Sequence, residues 1–402
     1  SKDKLILPSY RMLMFISCTA VFGCYFASNM RLPVVPLYAR SIDVNTAQIG
    51  FINFAFFLMA GFLSLPLGFV SDRFGRKLLA SLGVLVLSGA SFMLYFSNTF
   101  VLLTLSYLFL GIGLAAFGPT MMAFVADISP DTHLGRSYGW YTTALHCGIS
   151  LGPAAGGVVA QASGYLPVFI IAGALTFLNF WIVIFFLPRT RRVLKPHPKK
   201  AKTEILFRQL FKNRPLIGCW MITLGGCFVL GMFITFIPLH AQNQSLSVSQ
   251  IGLVFFVQGL TNALTRIPLG YLSDKVADRK ILVILGTIGF AASMVGFGVS
   301  RTASHFIMFA IAMGVSMALA FTSIGALIAE TVDSESRGLA MGGYNTCIYF
   351  GMMLNSALMG SVIQMIGFEY ALYLTAVVNI PLIAIFYLFM QNFSPVKNEP
   401  IQ

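Results

Sequence analysis

Asp72, Arg73, Arg76 and Lys77 put one carboxylate and three cations into six residues, in a short stretch held between two long apolar runs. The set has no nucleophile and no base that titrates near neutrality. Its chemistry is that of ion pairs that form and break, each contributing about 1 kcal/mol where water reaches it and more where it does not. Counting 202 residues onward, Pro66-Leu67-Gly68 meets Pro268-Leu269-Gly270, Ser71-Asp72 meets Ser273-Asp274, and Lys77 meets Arg279, with Lys280 beside it. The same offset aligns Pro36-Leu37-Tyr38-Ala39 with Pro238-Leu239-His240-Ala241, and Gln48-Ile49-Gly50 with Gln250-Ile251-Gly252. One register that serves three separate matches makes the chain two copies of one unit.

Other reactive constellations are missing or misplaced. Neither His-Glu-x-x-His nor the phosphate loop G-x-x-x-x-G-K-[ST] occurs, so metal-assisted hydrolysis and direct use of ATP are not expected. Gly148-x-Ser150-x-Gly152 has the spelling of a hydrolase elbow, but an elbow needs strand, turn and helix in succession, and these residues sit inside one apolar run. Cys18, Cys24, Cys147, Cys219, Cys227 and Cys347 also fall in apolar runs, where they read as small packing residues that need no disulfide. The chain is not expected to be an enzyme, and no cofactor or metal is expected.

The elements that must position these residues are membrane spans. A chain of 402 residues that is 57% hydrophobic and 10% charged, with 38 Phe and a mean hydropathy of +0.83, carries more apolar surface than a soluble core can hide. Runs of about 18 residues or more fall near 12–39, 47–71, 78–97, 100–126, 137–161 and 166–188. Six more fall near 215–241, 249–272, 280–299, 304–330, 338–362 and 368–391. The first is too long for a signal-peptide core and is read as a span that stays. The expected fold class is all-α integral membrane, with twelve transmembrane helices in two pseudo-symmetric six-helix bundles. The bundles are 1–188 and 215–402, the second with a short tail, and 189–214 is the linker.

The net charge of +13 does not point to nucleic acid, because the bases are spread through short loops instead of gathered on one face. All of the 26 Lys and Arg except Arg31, Arg40, Arg266 and Arg301 lie in the N-terminal segment, alternate loops, linker and tail. Those positions share one side once twelve spans are threaded, and the positive-inside bias makes that side, with both termini, cytoplasmic. In the linker, Arg191-Arg192 and Lys199-Lys200 are placed against anionic lipid, with Ile205, Leu206, Leu210 and Phe211 on a surface helix. The expected location is the cell (inner) membrane.

Two six-span halves, a long basic middle segment, and Gly68-x-x-x-Asp72-Arg73-x-Gly75-Arg76-Lys77 after the second span resemble the major facilitator superfamily, over the whole chain. The resemblance implies alternating access, with the charged stretch as a cytoplasmic latch. Its residues are Gly68, Asp72, Arg73, Gly75, Arg76 and Lys77 in the first copy, and Gly270, Asp274, Arg279 and Lys280 in the second. Asp127 and Glu330 end the fourth and tenth spans and Arg136 and Arg337 open the next ones, in reach of the same charges. Glycine at 68 is expected where the second span approaches a neighbour closely, and the second copy departs from the pattern with Ala277 for its second glycine.

In the fifth span, Gly148-x-x-x-Gly152-Pro153-x-x-Gly156-Gly157 is similar to the antiporter signature of the superfamily's twelve-helix drug/proton branch. Glycines at four-residue spacing make a smooth groove for a second helix, and Pro153 bends their own. Exporters of this branch carry an arginine in the fourth span, four residues before a Gly-x-Gly. Here Tyr107 stands before Gly111 and Gly113, and no acid lies in the middle of any span. His146, the only histidine deep in a span, is therefore the candidate proton carrier, in a polar stripe with Thr142, Thr143 and Ser150.

Arg31 lies about 12 Å from the outer end of the first span. Ser28 and Tyr38 are placed on its face, and it is expected to bind an anionic group of the substrate. Asn53, Gln258, Asn262, Tyr344, Asn345 and Asn355 join the candidate substrate site, because polar groups in spans favour the bundle interior or a watery cavity. Arg266 is expected to snorkel toward the cytoplasmic loops or to pair there. The expected partners are a small-molecule substrate, the lipid bilayer and protons as coupling ion, with one chain sufficient for function. The reading is an exporter of a small amphiphilic or anionic organic molecule, of the multidrug efflux type, working in exchange for protons. An uptake symporter for an organic anion and a transporter-like receptor that moves no cargo remain alternatives.

Overall fold

Hydrocarbon offers the backbone no hydrogen-bond partner, so a chain of such runs must satisfy its amides internally, and helices do so within each run. The computed structural model describes residues 9–130, 133–188, 209–276, 278–333, 336–391 and 393. The linker residues Arg191, Arg192, Lys199, Lys200, Ile205 and Leu206 lie outside the described residues, as does Ala277. Thirteen helices make up the described chain. In the first half they are α1 (Tyr10–Met30), α2 (Val34–Ser41), α3 (Thr46–Phe74), α4 (Arg76–Tyr95), α5 (Phe100–Ile128), α6 (Leu134–Ser163) and α7 (Tyr165–Phe186). In the second they are α8 (Arg214–Asn243), α9 (Val248–Lys275), α10 (Arg279–Val299), α11 (Ala303–Thr331), α12 (Arg337–Val377) and α13 (Asn379–Met390).

Helices and crossings do not correspond one to one. α1 and α2 together make one apolar span, Tyr10–Ser41, interrupted where Pro33 removes an amide and its ring opposes the carbonyl one turn back. Arg31 caps α1 there, and its carbonyl accepts from Val34 N and Val35 N at 3.0 and 2.9 Å. By contrast, Arg337–Met390 runs 54 residues as a single apolar stretch. That is about 80 Å of helix, against a hydrocarbon core of about 30 Å. Gly367 breaks it with φ 83° and ψ 169°. In the first half Gly164, with φ 84° and ψ 177°, separates α6 from α7 in the same way. Both glycines turn the chain back, and the total is twelve crossings in two copies of six.

The repeat extends to single turns. Among the described residues, Asp43 and Ser245, 202 residues apart, are the non-glycine residues of positive φ, at 61° and 63°. After each, a backbone amide bonds back across the turn, Val44 N to Ala39 O at 3.0 Å and Leu246 N to Ala241 O at 3.1 Å. Each following helix then opens with a capping box. Asn45 and Gln48 exchange side-chain and backbone bonds at 3.1 and 2.9 Å, and Ser247 and Gln250 do so at 2.9 and 3.3 Å. The repeated Gln-Ile-Gly of the sequence is this box.

Two compact units divide the chain, one of Ser1–Leu194 with Pro238–Leu260 and one of Lys195–Ile237 with Thr261–Gln402. In the first, α1 lies on α6 and α7, α3 on α5, and α4 on α5 and α7. In the second, α10 lies on α11 and α12, over a core that includes Leu216, Trp220, Val283, Ile324, Ile328 and Phe386. Leu210 is buried in that core, while Phe211 is exposed and meets the Trp220 ring edge-on at 5.7 Å.

Candidate functional site

The charged stretch forms one cluster in each unit. Gly75 ends α3 and precedes α4 with φ 102°, a conformation that favours glycine, and its N–H donates to Ser71 O at 3.0 Å. The turn delivers Arg76 into a buried position. There its Nε donates to Asp127 Oδ2 at 3.1 Å, and its guanidinium pairs with Asp72 and donates to Ser71 Oγ. Three helix ends thereby converge on one cation. In the second unit Arg279 pairs with Asp274 at 2.8 Å and with Glu330, and its Nε donates to Ser273 O at 3.0 Å.

Two expectations change at these clusters. Arg279 takes the part of Arg76, not of Lys77, because the second copy has one more residue between its aspartate and its arginine; Lys280 Nζ donates instead to Met390 O at 3.2 Å. Gly68 is not a point of close approach, since a Cβ there would meet nothing within 4 Å, and one on Gly270 would make only ordinary contact with Thr322 at 3.7 Å. The glycine that the loop requires is Gly75. Arg73 lies over the Phe74 ring at 5.7 Å, Lys77 is half-buried, and Arg136 and Arg337 are exposed at the starts of their helices.

Gly148, Gly152 and Gly156 line one side of α6, and α1 lies along it. A Cβ on Gly148 would stand 2.9 Å from Phe22 O, one on Gly152 2.6 Å from Phe26 O, and one on Gly156 would run into Met30 O. The partners share the four-residue step, so the two backbones are in direct contact over two turns. On another side of α6 a Cβ on Gly157 would stand 2.8 Å from Val248 O, and one on Gly252 2.5 Å from Pro153 O, in the part of α9 that belongs to the same unit. At the corresponding crossing of the second unit the described residues form no such glycine face. Gly351 repeats Gly148 against α8, but 203 residues after Gly152 and Gly156 stand Asn355 and Met359. There the glycine sits on the opposite helix, and a Cβ on Gly231 would lie 3.0 Å from Asn355 Cβ.

Arg31 is 3% exposed and turns toward α4, where it donates to Ser91 Oγ; its Nε lies 3.4 Å from Ser28 O. No described carboxylate pairs with it. The break after Arg31 removes the helical register that would put Tyr38 on its face. Tyr38 packs edge-on against Phe169 and donates to Ser97 O at 2.8 Å. Asn53 is buried and donates to Ile49 O at 3.4 Å. His146 is half-buried, whereas Thr142 and Thr143 are exposed and bond back to their own helix.

The candidates of the second half differ in exposure. Gln258 and Asn262 are buried, Tyr344 is half-buried, Asn345 is exposed, and Asn355 is fully buried with neither end of its amide hydrogen-bonded. Arg266 does not turn toward the Lys275 end of α9. Its Nε lies 3.4 Å from Asn262 Oδ1, one turn the other way.

Residues not singled out from sequence also matter. Ser91 receives the buried Arg31, and Ser71 supports Arg76. Asn179, buried in α7, donates to Ala20 O at 2.7 Å beside Gly23, and Asn379 occupies the corresponding place beside Gly225. A lone serine or asparagine in an apolar run carries no spacing signal; only alignment of the two copies would have marked the Gly23 and Gly225 pair.

Twelve crossings in two repeated sixes, each with a charged cluster joining three helix ends, define a multi-pass membrane transporter of small molecules. Residues 17–247 and 240–402 match the Major Facilitator Superfamily, and the chain belongs to that family. It is 23% identical over 361 residues to an uncharacterised MFS-type transporter of Methanocaldococcus jannaschii, covering 88% of this chain and 92% of that one. It is also 27% identical over 263 residues to the quinolone resistance protein NorA of Staphylococcus aureus, covering 65% of this chain and 66% of that protein. Among solved structures it resembles a bacterial homolog to human lysosomal transporter Spinster, inward-facing and unoccupied. The TM-score there is 0.81 at 16% identity, over 97% of this chain and 100% of that one. The nucleoside transporter NupG superposes with a TM-score of 0.78 at 15% identity, over 94% and 99%.

Proposed function

We propose that the chain exports a small amphiphilic or anionic organic molecule across the cell membrane in exchange for protons, by alternating access, with both termini cytoplasmic. The observation that carries the reading is the α6 glycine face. Three glycines at four-residue steps meet the α1 backbone in the first unit, in the residues that resemble the antiporter signature. A seam of glycine and backbone lets two helices slide or rock with little side-chain rearrangement, which suits a machine that changes state in every cycle. The likeness to NorA supports efflux, and a quinolone is an amphiphile that carries a carboxylate.

Arg31 supplies a matching pole. A cation deep in a span costs about 2.5 to 3.5 kcal/mol on insertion scales, and its partners here are a hydroxyl and a carbonyl, neither of them charged. An anionic group on the substrate would supply the missing countercharge. His146 is the proposed proton carrier. The test is accumulation of a fluorescent quinolone in everted membrane vesicles. An imposed acid interior should drive uptake, and nigericin should abolish it. Accumulation driven only in right-side-out vesicles would mean an uptake symporter, and binding without flux under any gradient would mean a receptor; either result sinks the exporter reading.

A further inference from the structure

Arg266 has no part in the groups considered so far, yet it is the second arginine placed well inside a span. It lies nine residues before Lys275, the last residue of α9, or about 14 Å along the axis. A snorkelling arginine would reach toward that end. This one reaches away from it, toward Asn262. The Tyr344 phenol of α12 lies within electrostatic range, and no described carboxylate pairs with the guanidinium. All three residues belong to the second compact unit.

The direction of its exposure separates a binding group from a misplaced surface charge. The most exposed stripe of α9 is apolar, marked by Leu264, Ile267 and Tyr271, which are 67%, 70% and 68% exposed, and such a stripe suits lipid tails. Arg266 is half-buried and points about 130° around the helix from that stripe, at 3.6 residues per turn. Arg266 therefore lies off that apolar stripe. A partly accessible cation off the exposed apolar stripe, oriented by an amide and paired with no described carboxylate, has the features of an anion-recognition group.

We infer that Arg266, oriented by Asn262, is a binding site for the anionic group of an amphiphile, such as a carboxylate, sulfonate or phosphate on an apolar body. The inference rests on the exporter reading for the claim that this amphiphile is cargo, but the site itself does not depend on transport. An organic anion from solution and the headgroup of an anionic lipid present the same chemistry, and the test separates them.

The test is calorimetry on the full chain in phosphatidylcholine nanodiscs, with three probes of one ring system: 2-naphthalenesulfonate, 2-naphthol and 2-naphthylmethylammonium. Wild type should prefer the sulfonate to the naphthol by about tenfold to a hundredfold, the range for one charge-assisted contact. Arg266→Gln should remove most of that preference, Arg266→Lys should keep part of it, and Asn262→Ala should weaken it with the cation intact. Adding phosphatidylglycerol to the nanodisc identifies the source. If it suppresses sulfonate binding in wild type, a lipid headgroup competes for Arg266; if it does not, the site takes the soluble anion. No preference for the sulfonate in wild type, or a preference unchanged in an Arg266→Gln variant that melts like wild type, overturns the inference. Loss confined to Arg31→Gln would also overturn it and put the anion at Arg31. Sulfonate binding through Arg266 in a chain that moves nothing in vesicles would leave the site standing and remove the exporter reading.

Discussion

The same ion-pair motif sits in different surroundings in the two units, and its cost of removal should follow the surroundings. The Arg76 side chain is 6% exposed and that of Arg279 21%. Breaking a buried pair strands the remaining charges and costs about 3 to 5 kcal/mol, whereas exposed pairs contribute about 0 to 1 kcal/mol. Arg76→Ala should therefore lower the melting temperature clearly more than Arg279→Ala; equal shifts would contradict the burial argument. Asn355 makes the opposite prediction. With both ends of its amide buried and unbonded, it carries a penalty of about 1 to 3 kcal/mol. Asn355→Ala should raise thermal stability, and if the amide serves the substrate the same variant should transport more slowly. A stability loss would mean that its packing against Gly231 outweighs the unpaired amide. That the acids and bases belong together was legible in their repeat, but their pairing was not. One extra residue in the second loop moves Arg279 into the place of Arg76, and sequence alignment at constant offset hides such a shift.

The helices were legible as runs because each must be apolar for at least about 18 residues to cross the membrane. Their interruptions were legible only in part. The separate runs 338–362 and 368–391 already left out the turn at Gly367, although 337–390 reads as one apolar stretch, whereas the interruption at Pro33 lies inside the single run 12–39 and divides it into two helices. The four-residue step of the α6 glycines indicated a close crossing, but not that α1 is the partner. This crossing should be the most sensitive element in the first unit. Gly156→Ala puts a methyl group into the Met30 backbone, while Gly139→Ala on the same helix meets nothing within 4 Å. The first should reduce folded yield and transport severely, and the second should leave both near wild type. Equal tolerance in a melting assay would show that α1 and α6 can separate at little cost. Gly75→Ala tests a different requirement, because it meets no atom but must adopt φ 102°. It should cost about 1 to 2 kcal/mol through backbone strain alone.

For the whole molecule, the distribution of Lys and Arg predicts one topology. Single cysteines at positions 98, 199 and 243 of a cysteine-free variant should divide under an impermeant thiol reagent in intact cells, with 98 and 243 labelled and 199 protected. The reverse pattern would invert the orientation. The exchange of asparagine and glycine across the two crossings bears on how such a chain assembles. In the first unit Asn29 on α1 faces Gly152 on α6, and in the second Gly231 on α8 faces Asn355 on α12. If α1 were to meet α12 during insertion, two amides would compete for one space. If α8 were to meet α6, glycine would face glycine across a gap. Spans that resemble one another in length and hydropathy thus carry a parity check that rejects the wrong sibling. Duplicated halves that have diverged in this reciprocal way are no longer interchangeable parts, and a chimera that exchanges α1 for α8 should fail to assemble unless Asn355→Gly on α12 and Gly152→Asn on α6 accompany the exchange.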